Sequence, residues 1–132
     1  EKAKLQMDID ISESVLIKTA KSINRIHFNM IQYVESMRHV INFHLSNSNT
    51  RSCYGTISEF AGILLSDRRF VKCHKSYIIN MDYVATMTTS DFVMDDGTII
   101  PISRNLCQQI KNDYLMYIFT KTPALKNRKK SE

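Results

Sequence analysis

The 132-residue sequence predicts a mostly β domain, built from antiparallel strands with two helices. Three observations carry that expectation. Short runs rich in β-branched and aromatic residues recur along most of the chain, bounded by Ser, Asn, Asp and Gly clusters. Only two segments have helical spacing of their apolar residues. Strands do not alternate with helices, which disfavours a doubly wound parallel sheet.

The elements follow in order. Residues 1–13 alternate charged and small apolar residues without a clear period, as a linker or a lead-in to the first strand would. The domain itself is expected over 14–119. Ser14 to Thr19 reads as a strand and Asn24 to Phe28 as a second, short one. Met30 to Glu35 and Val40 to Leu45 form a hairpin whose tip, Ser36-Met37-Arg38-His39, is basic. Ser46-Asn47-Ser48-Asn49 then turns the chain into Arg51 to Tyr54. Thr56 with Glu59 three residues on makes a capping box for a helix from Ile57, with Phe60, Ala61, Leu64 and Leu65 along its apolar face.

The second half is again strand-like: Phe70 to Cys73, Tyr77 to Ile79, Tyr83 to Thr88, Phe92 to Met94 and Thr98 to Ile102. Asp95-Asp96-Gly97 is a hairpin turn, which accounts for its two acids without a metal. Ser103 is placed to cap a final helix from Arg104 to Phe119, where Leu106, Ile110, Tyr114 and Ile118 recur every four residues. Pro123 ends that pattern, and the basic segment 120–132 is expected to be an unstructured tail. Beside these short strands the pattern holds one middle helix and one terminal helix.

Composition narrows the function. The net charge is +5, but 120–132 carries +4 of it, so residues 1–119 are nearly neutral. Total charge therefore does not argue for a nucleic-acid partner; the placement of individual bases must. No apolar run approaches the roughly 20 residues that span a bilayer. The three cysteines, Cys53, Cys73 and Cys107, are odd in number and lack a C-x-x-C pair, which suits buried thiols in a reducing cytoplasm. Three glycines leave no phosphate-cradling loop, and the Ser, Cys and His residues form no recognisable nucleophile–base constellation, so neither an enzyme nor a cofactor is expected.

The cations concentrate in three short polar stretches: Met37-Arg38-His39, Cys73-His74-Lys75-Ser76 and Ser103-Arg104-Asn105. Arginine and lysine can reach guanine or phosphate, asparagine can pair with adenine, and histidine can donate to either. His74 is expected to be either buried or loop-stabilising. Cys73 and His74, adjacent in an extended segment, point to opposite faces and so do not pair chemically. His27 and His44 are read as structural or solvated.

Four segments carry a family resemblance: Tyr33-Val34-Glu35-Ser36, the helix near 56–65, Phe70-Val71-Lys72-Cys73-His74-Lys75-Ser76-Tyr77-Ile78-Ile79-Asn80, and Gly97-Thr98-Ile99-Ile100-Pro101-Ile102-Ser103-Arg104. In that order and spacing they resemble the LytTR family, the DNA-binding domain of many bacterial response regulators. The resemblance implies an elongated antiparallel strand arrangement that contacts double-stranded DNA through inter-strand loops, without a recognition helix. It also implies tandem copies on direct repeats in promoters, and a receiver domain upstream of Glu1. By motif, His39 would be the first-loop contact with Arg38 beside it, Lys75 the second, and Arg104 with Asn105 the third. Lysine at 75 is a point charge and suits phosphate better than a base. A different reading remains beside this one: an interaction or dimerisation module that uses an exposed sheet edge.

Overall fold

The computed structural model describes residues 13–121. Of the linker expected over 1–13, residues 1–12 lie outside the described residues, as do 122–132 of the tail expected over 120–132, whose first two residues, Thr120 and Lys121, are helical. Within them ten strands form: β1 (Ser14–Lys18), β2 (Ile23–His27), β3 (Ile31–Met37), β4 (Val40–Leu45) and β5 (Thr50–Tyr54) precede helix α1 (Ile57–Leu64). After α1 come β6 (Phe70–His74), β7 (Tyr77–Asn80), β8 (Val84–Met87), β9 (Asp91–Met94), β10 (Ile99–Pro101) and helix α2 (Cys107–Lys121).

All the strand pairings are antiparallel, in three sheets: β1-β2, the five-stranded β5-β4-β3-β7-β6, and β10-β9-β8. The mostly β, antiparallel class read from the sequence is the one observed.

The five-stranded sheet is buried on both faces near its middle, and the two-residue period of its strands sorts neighbours into two cores. Val34, Phe70 and Ile78 enter a core shared with β1, β2 and α1, where Val15, Ile17, Phe43 and Leu64 are also buried. Their neighbours Tyr33, Val71 and Ile79 enter a second core with Phe92, Met94, Ile100, Ile110 and Tyr117, under the three-stranded sheet and α2. Each such large apolar side chain contributes roughly 1.5–3 kcal/mol by burial. Adjacent apolar residues in β6 and β7 are therefore needed, since each faces a different layer.

Asn80, fully buried, fastens the layers where β7 ends. Its Nδ2 donates to the Ile31 carbonyl at 2.9 Å and to that of Phe28 at 3.4 Å, and its Oδ1 accepts the Asp82 N–H at 2.9 Å. These bonds pin two single 3-10 turns, Phe28–Met30 and Met81–Tyr83, that the sequence did not announce.

Several boundaries differ from the expectation. β3 runs on to Met37, so the first tip is the two-residue turn Arg38-His39 and not a four-residue loop. The terminal helix begins with a 3-10 turn, Arg104–Leu106, in which the Ser103 side chain makes no capping bond, and α2 continues to Lys121. At α1 the Glu59 carboxylate does accept the Thr56 N–H, at 3.4 Å, while Leu65 stays exposed. Asp95-Asp96-Gly97 closes the β9–β10 hairpin with Gly97 at φ 91°, a conformation that favours glycine.

Candidate nucleic-acid interface

β3 lies between β4 and β7, antiparallel to both, so the β3–β4 and β6–β7 turns emerge at the same end of the sheet. The Ser36 N–H donates to the Ser76 carbonyl at 2.9 Å, joining one hairpin to the other beside their tips.

At the first tip Met37 pairs with Val40, and Arg38 and His39 are exposed at the apex. Arg38 takes φ 58°, in the left-handed region. The His39 carbonyl accepts the Gly55 N–H at 2.9 Å, which brings the end of β5 alongside.

At the second tip His74 pairs with Tyr77 across Lys75-Ser76, and Lys75 is exposed. The strand register shifts between Lys72 and His74, which makes Cys73 the extra residue of a bulge. His74 Nδ1 accepts the Ser76 N–H at 3.1 Å, and its ring meets that of Tyr77 edge-on at 5.7 Å. An accepting Nδ1 places the neutral ring's proton on Nε2. The loop-stabilising part expected of His74 is the one it plays. Cys73 is wholly buried, and burial pushes its thiol up to about 12.

The third element is docked onto the second. The Ser103 N–H donates to the Cys73 carbonyl at 2.8 Å, so Arg104 and Asn105, both exposed, leave the base of the β6–β7 hairpin at the start of the terminal helix. The five residues expected from the sequence, Arg38, His39, Lys75, Arg104 and Asn105, therefore all fall at one end of the five-stranded sheet. Arg38, Lys75 and Arg104 form no ion pair among the described residues. Arg69 shows the contrast: it is tied to Asp67 at 2.9 Å and lies over the Phe28 ring.

The β8–β9 turn, which lies outside the three basic motifs, reaches the same place. The Ser90 carbonyl accepts the Ile102 N–H at 2.9 Å, and the Thr89 carbonyl accepts from Cys107 Sγ at 2.8 Å. Thr89, Ser90, Ser103, Arg104 and Asn105 line an open hollow of about 680 Å³ with His74 at its edge. Asp91 also borders it, with its carboxylate bonded to Ser90 Oγ at 2.8 Å. The hydroxyl run Thr88-Thr89-Ser90 was the available signal, but only the β8–β9 pairing tells which end it occupies.

Away from this end, His44 is structural: Nε2 lies 2.9 Å from Glu35 Oε1, and its ring stacks on Tyr33 at 4.3 Å. All three cysteines are free, and no cluster of His, Cys, Asp and Glu among the described residues could hold a metal. No described helix is long and apolar enough to cross a membrane.

The three antiparallel sheets and their inter-strand turns define a mostly β domain, and the sequence pattern of the LytTr DNA-binding domain matches its residues 21–114. The chain belongs to that family. Over 52 residues it is 31% identical to the sensory transduction protein LytT of Bacillus subtilis (strain 168), a stretch that is 36% of this chain and 22% of that protein. The solved LytTr DNA-binding domain of a methyl-accepting/DNA response regulator from Bacillus cereus has the same fold: TM-score 0.63 at 23% identity, over 76% of this chain and 95% of that one.

Proposed function

We propose that this domain binds promoter DNA by inserting its inter-strand turns into the grooves, as the transcription-controlling output of a two-component response regulator. The observation that carries the reading is the set of three exposed cations, Arg38, Lys75 and Arg104, which form no ion pair among the described residues and stand on segments hydrogen-bonded together at one end of the five-stranded sheet. Arg104 and Asn105 read base edges, Lys75 neutralises phosphate, and the Arg38–His39 tip enters a neighbouring groove. Signalling is supported by the likeness to the Bacillus subtilis relative, a sensory transduction protein by name.

An upstream receiver, once phosphorylated, would dimerise and set two such domains on adjacent direct repeats, raising affinity through effective concentration. The three free thiols fit a reducing cytoplasm as the compartment.

Selection of bound duplexes from a random DNA pool near physiological salt is the test, and spaced direct repeats are the expected product. On the selected duplex, Arg104→Ala costs about 1–3 kcal/mol and relaxes one base position, whereas Lys75→Ala weakens all sequences alike and flattens the salt slope. Truncation after Lys121, which spares α2, removes the tail's non-specific contribution. If both variants bind like the parent, the loop assignment is wrong. A sheet-edge interaction module would instead show no duplex preference.

A further inference from the structure

A second hollow, of about 590 Å³, lies between the β1–β2 turn and the end of β5, and none of the sequence motifs points to it. Ala20, Val40, Cys53 and Tyr54 line it with Thr19 and Ser52, and Lys18 is the formally charged residue lining it among the described residues. Tyr54 is 86% exposed, a high value for an aromatic on a strand. The hollow is continuous with the first tip. Tyr54 pairs with Val40, which pairs with Met37, so the three share one face of the sheet beside Arg38–His39. The Gly55 N–H to His39 carbonyl bond fixes that proximity. Across from Tyr54 the β1–β2 turn is held in shape: Thr19 Oγ1 accepts the Ser22 N–H at 3.1 Å, and Lys21 stands exposed at the apex.

A largely apolar wall with Lys18 as its formal charge among the described residues matches the alternation of deoxyribose and phosphate along a nucleic-acid strand. We propose that this hollow seats the sugar–phosphate strand bordering the groove that Arg38–His39 enters, with the Tyr54 ring against a deoxyribose and the Lys18 ammonium on the adjoining phosphate. The proposal rests on the DNA-binding reading above and extends its footprint to residues outside the three motif loops. A phosphate contact and a sugar contact have different signatures: only the first releases a counterion.

The test is fluorescence anisotropy of the full chain with a selected, labelled duplex across a series of KCl concentrations, for the parent, Lys18→Ala, Tyr54→Ala, Tyr54→Phe and Arg104→Ala. Lys18→Ala is expected to lower the slope of log affinity against log salt by about 1. Tyr54→Ala is expected to weaken binding about 3- to 10-fold at every salt concentration without changing the slope, the size expected for a few tens of Å² of lost apolar contact. Tyr54→Phe keeps parental affinity. Both positions are exposed, and circular dichroism checks that each variant is folded.

If Lys18→Ala and Tyr54→Ala match the parent while Arg104→Ala binds weakly, the hollow lies off the DNA and the proposal falls, with the loop reading intact. If Arg104→Ala also matches the parent, the loop reading falls first and takes this one with it. If Tyr54→Ala changes the sedimenting mass but not the affinity, the occupant is a second copy of the chain and the proposal is overturned.

Discussion

The two turns that present Arg38 and Lys75 sit side by side but are built in opposite ways. The β6–β7 turn is braced from within by the Ser76 N–H on His74 Nδ1, from β3 by the Ser36 N–H on the Ser76 carbonyl, and at its base by the Ser103 N–H on the Cys73 carbonyl. The β3–β4 turn receives the Gly55 N–H on the His39 carbonyl, and it holds Arg38 at φ 58°, which costs a non-glycine residue about 1–2 kcal/mol. One turn is a rigid mount for a cation. The other accepts backbone strain to put a long side chain at its apex, and strain of this sort collects where geometry serves binding.

The largest way to disturb the braced side is through Cys73 beneath it. Burial raises its thiol from 9.0 to about 12 in the folded chain. Unfolding returns the thiol to its ordinary value, so its contribution is intact below pH 9 and is lost as pH rises toward 12, at about 1.4 kcal/mol per unit. Stability is expected to fall by about 2 kcal/mol between pH 9 and 10.5 from this group. Burial also pushes up Tyr33, Tyr77 and Tyr114, which add to the alkaline loss, so the difference between parent and Cys73→Ala in denaturant titrations isolates the thiol. An identical pH profile for the two proteins would show that Cys73 ionises without penalty.

A smaller disturbance is His74→Ala, which removes the acceptor for the Ser76 N–H and the edge-on contact with Tyr77. The expected cost is about 1 kcal/mol, read as a lower melting temperature. His74→Asn, whose side-chain oxygen can take the same N–H, should recover part of it. No change with alanine would mean that the other two braces suffice.

The same contrast explains what could be read in the sequence. The β-branched and aromatic runs between turn residues marked nearly every strand, because both signals are local. The capping glutamate of α1 was legible for the same local reason. The tip expected over Ser36–His39 is two residues shorter, because Ser36 and Met37 stay in β3 through their pairing with Ile41 and Val40 of β4. The bulge at Cys73, the docking of Ser103 upon it and the arrival of Thr89 and Ser90 at the same end are all set by contacts distant in sequence. The candidate loops were therefore recognised by motif, and their convergence only by the strand order β5-β4-β3-β7-β6.

The smallest expected effect on stability separates the two turns most cleanly. Glycine adopts φ 58° without steric cost, so Arg38→Gly relieves the strain at that position while adding the entropy glycine loses on folding, and the two nearly cancel to within about 0.5 kcal/mol. Lys75 has no such strain to release, because the left-handed non-glycine residues of the described chain are Arg38 and Ser48. Lys75→Gly is therefore expected to lose about 0.5–1 kcal/mol. Both changes delete a cation and, in the function proposed, both weaken DNA binding and shallow its salt dependence. Parallel denaturation and binding titrations of the two variants thus test whether affinity and stability separate at the strained turn and fall together at the braced one. A loss of more than about 1 kcal/mol in Arg38→Gly would mean that the arginine side chain supports the fold instead of standing free at the apex.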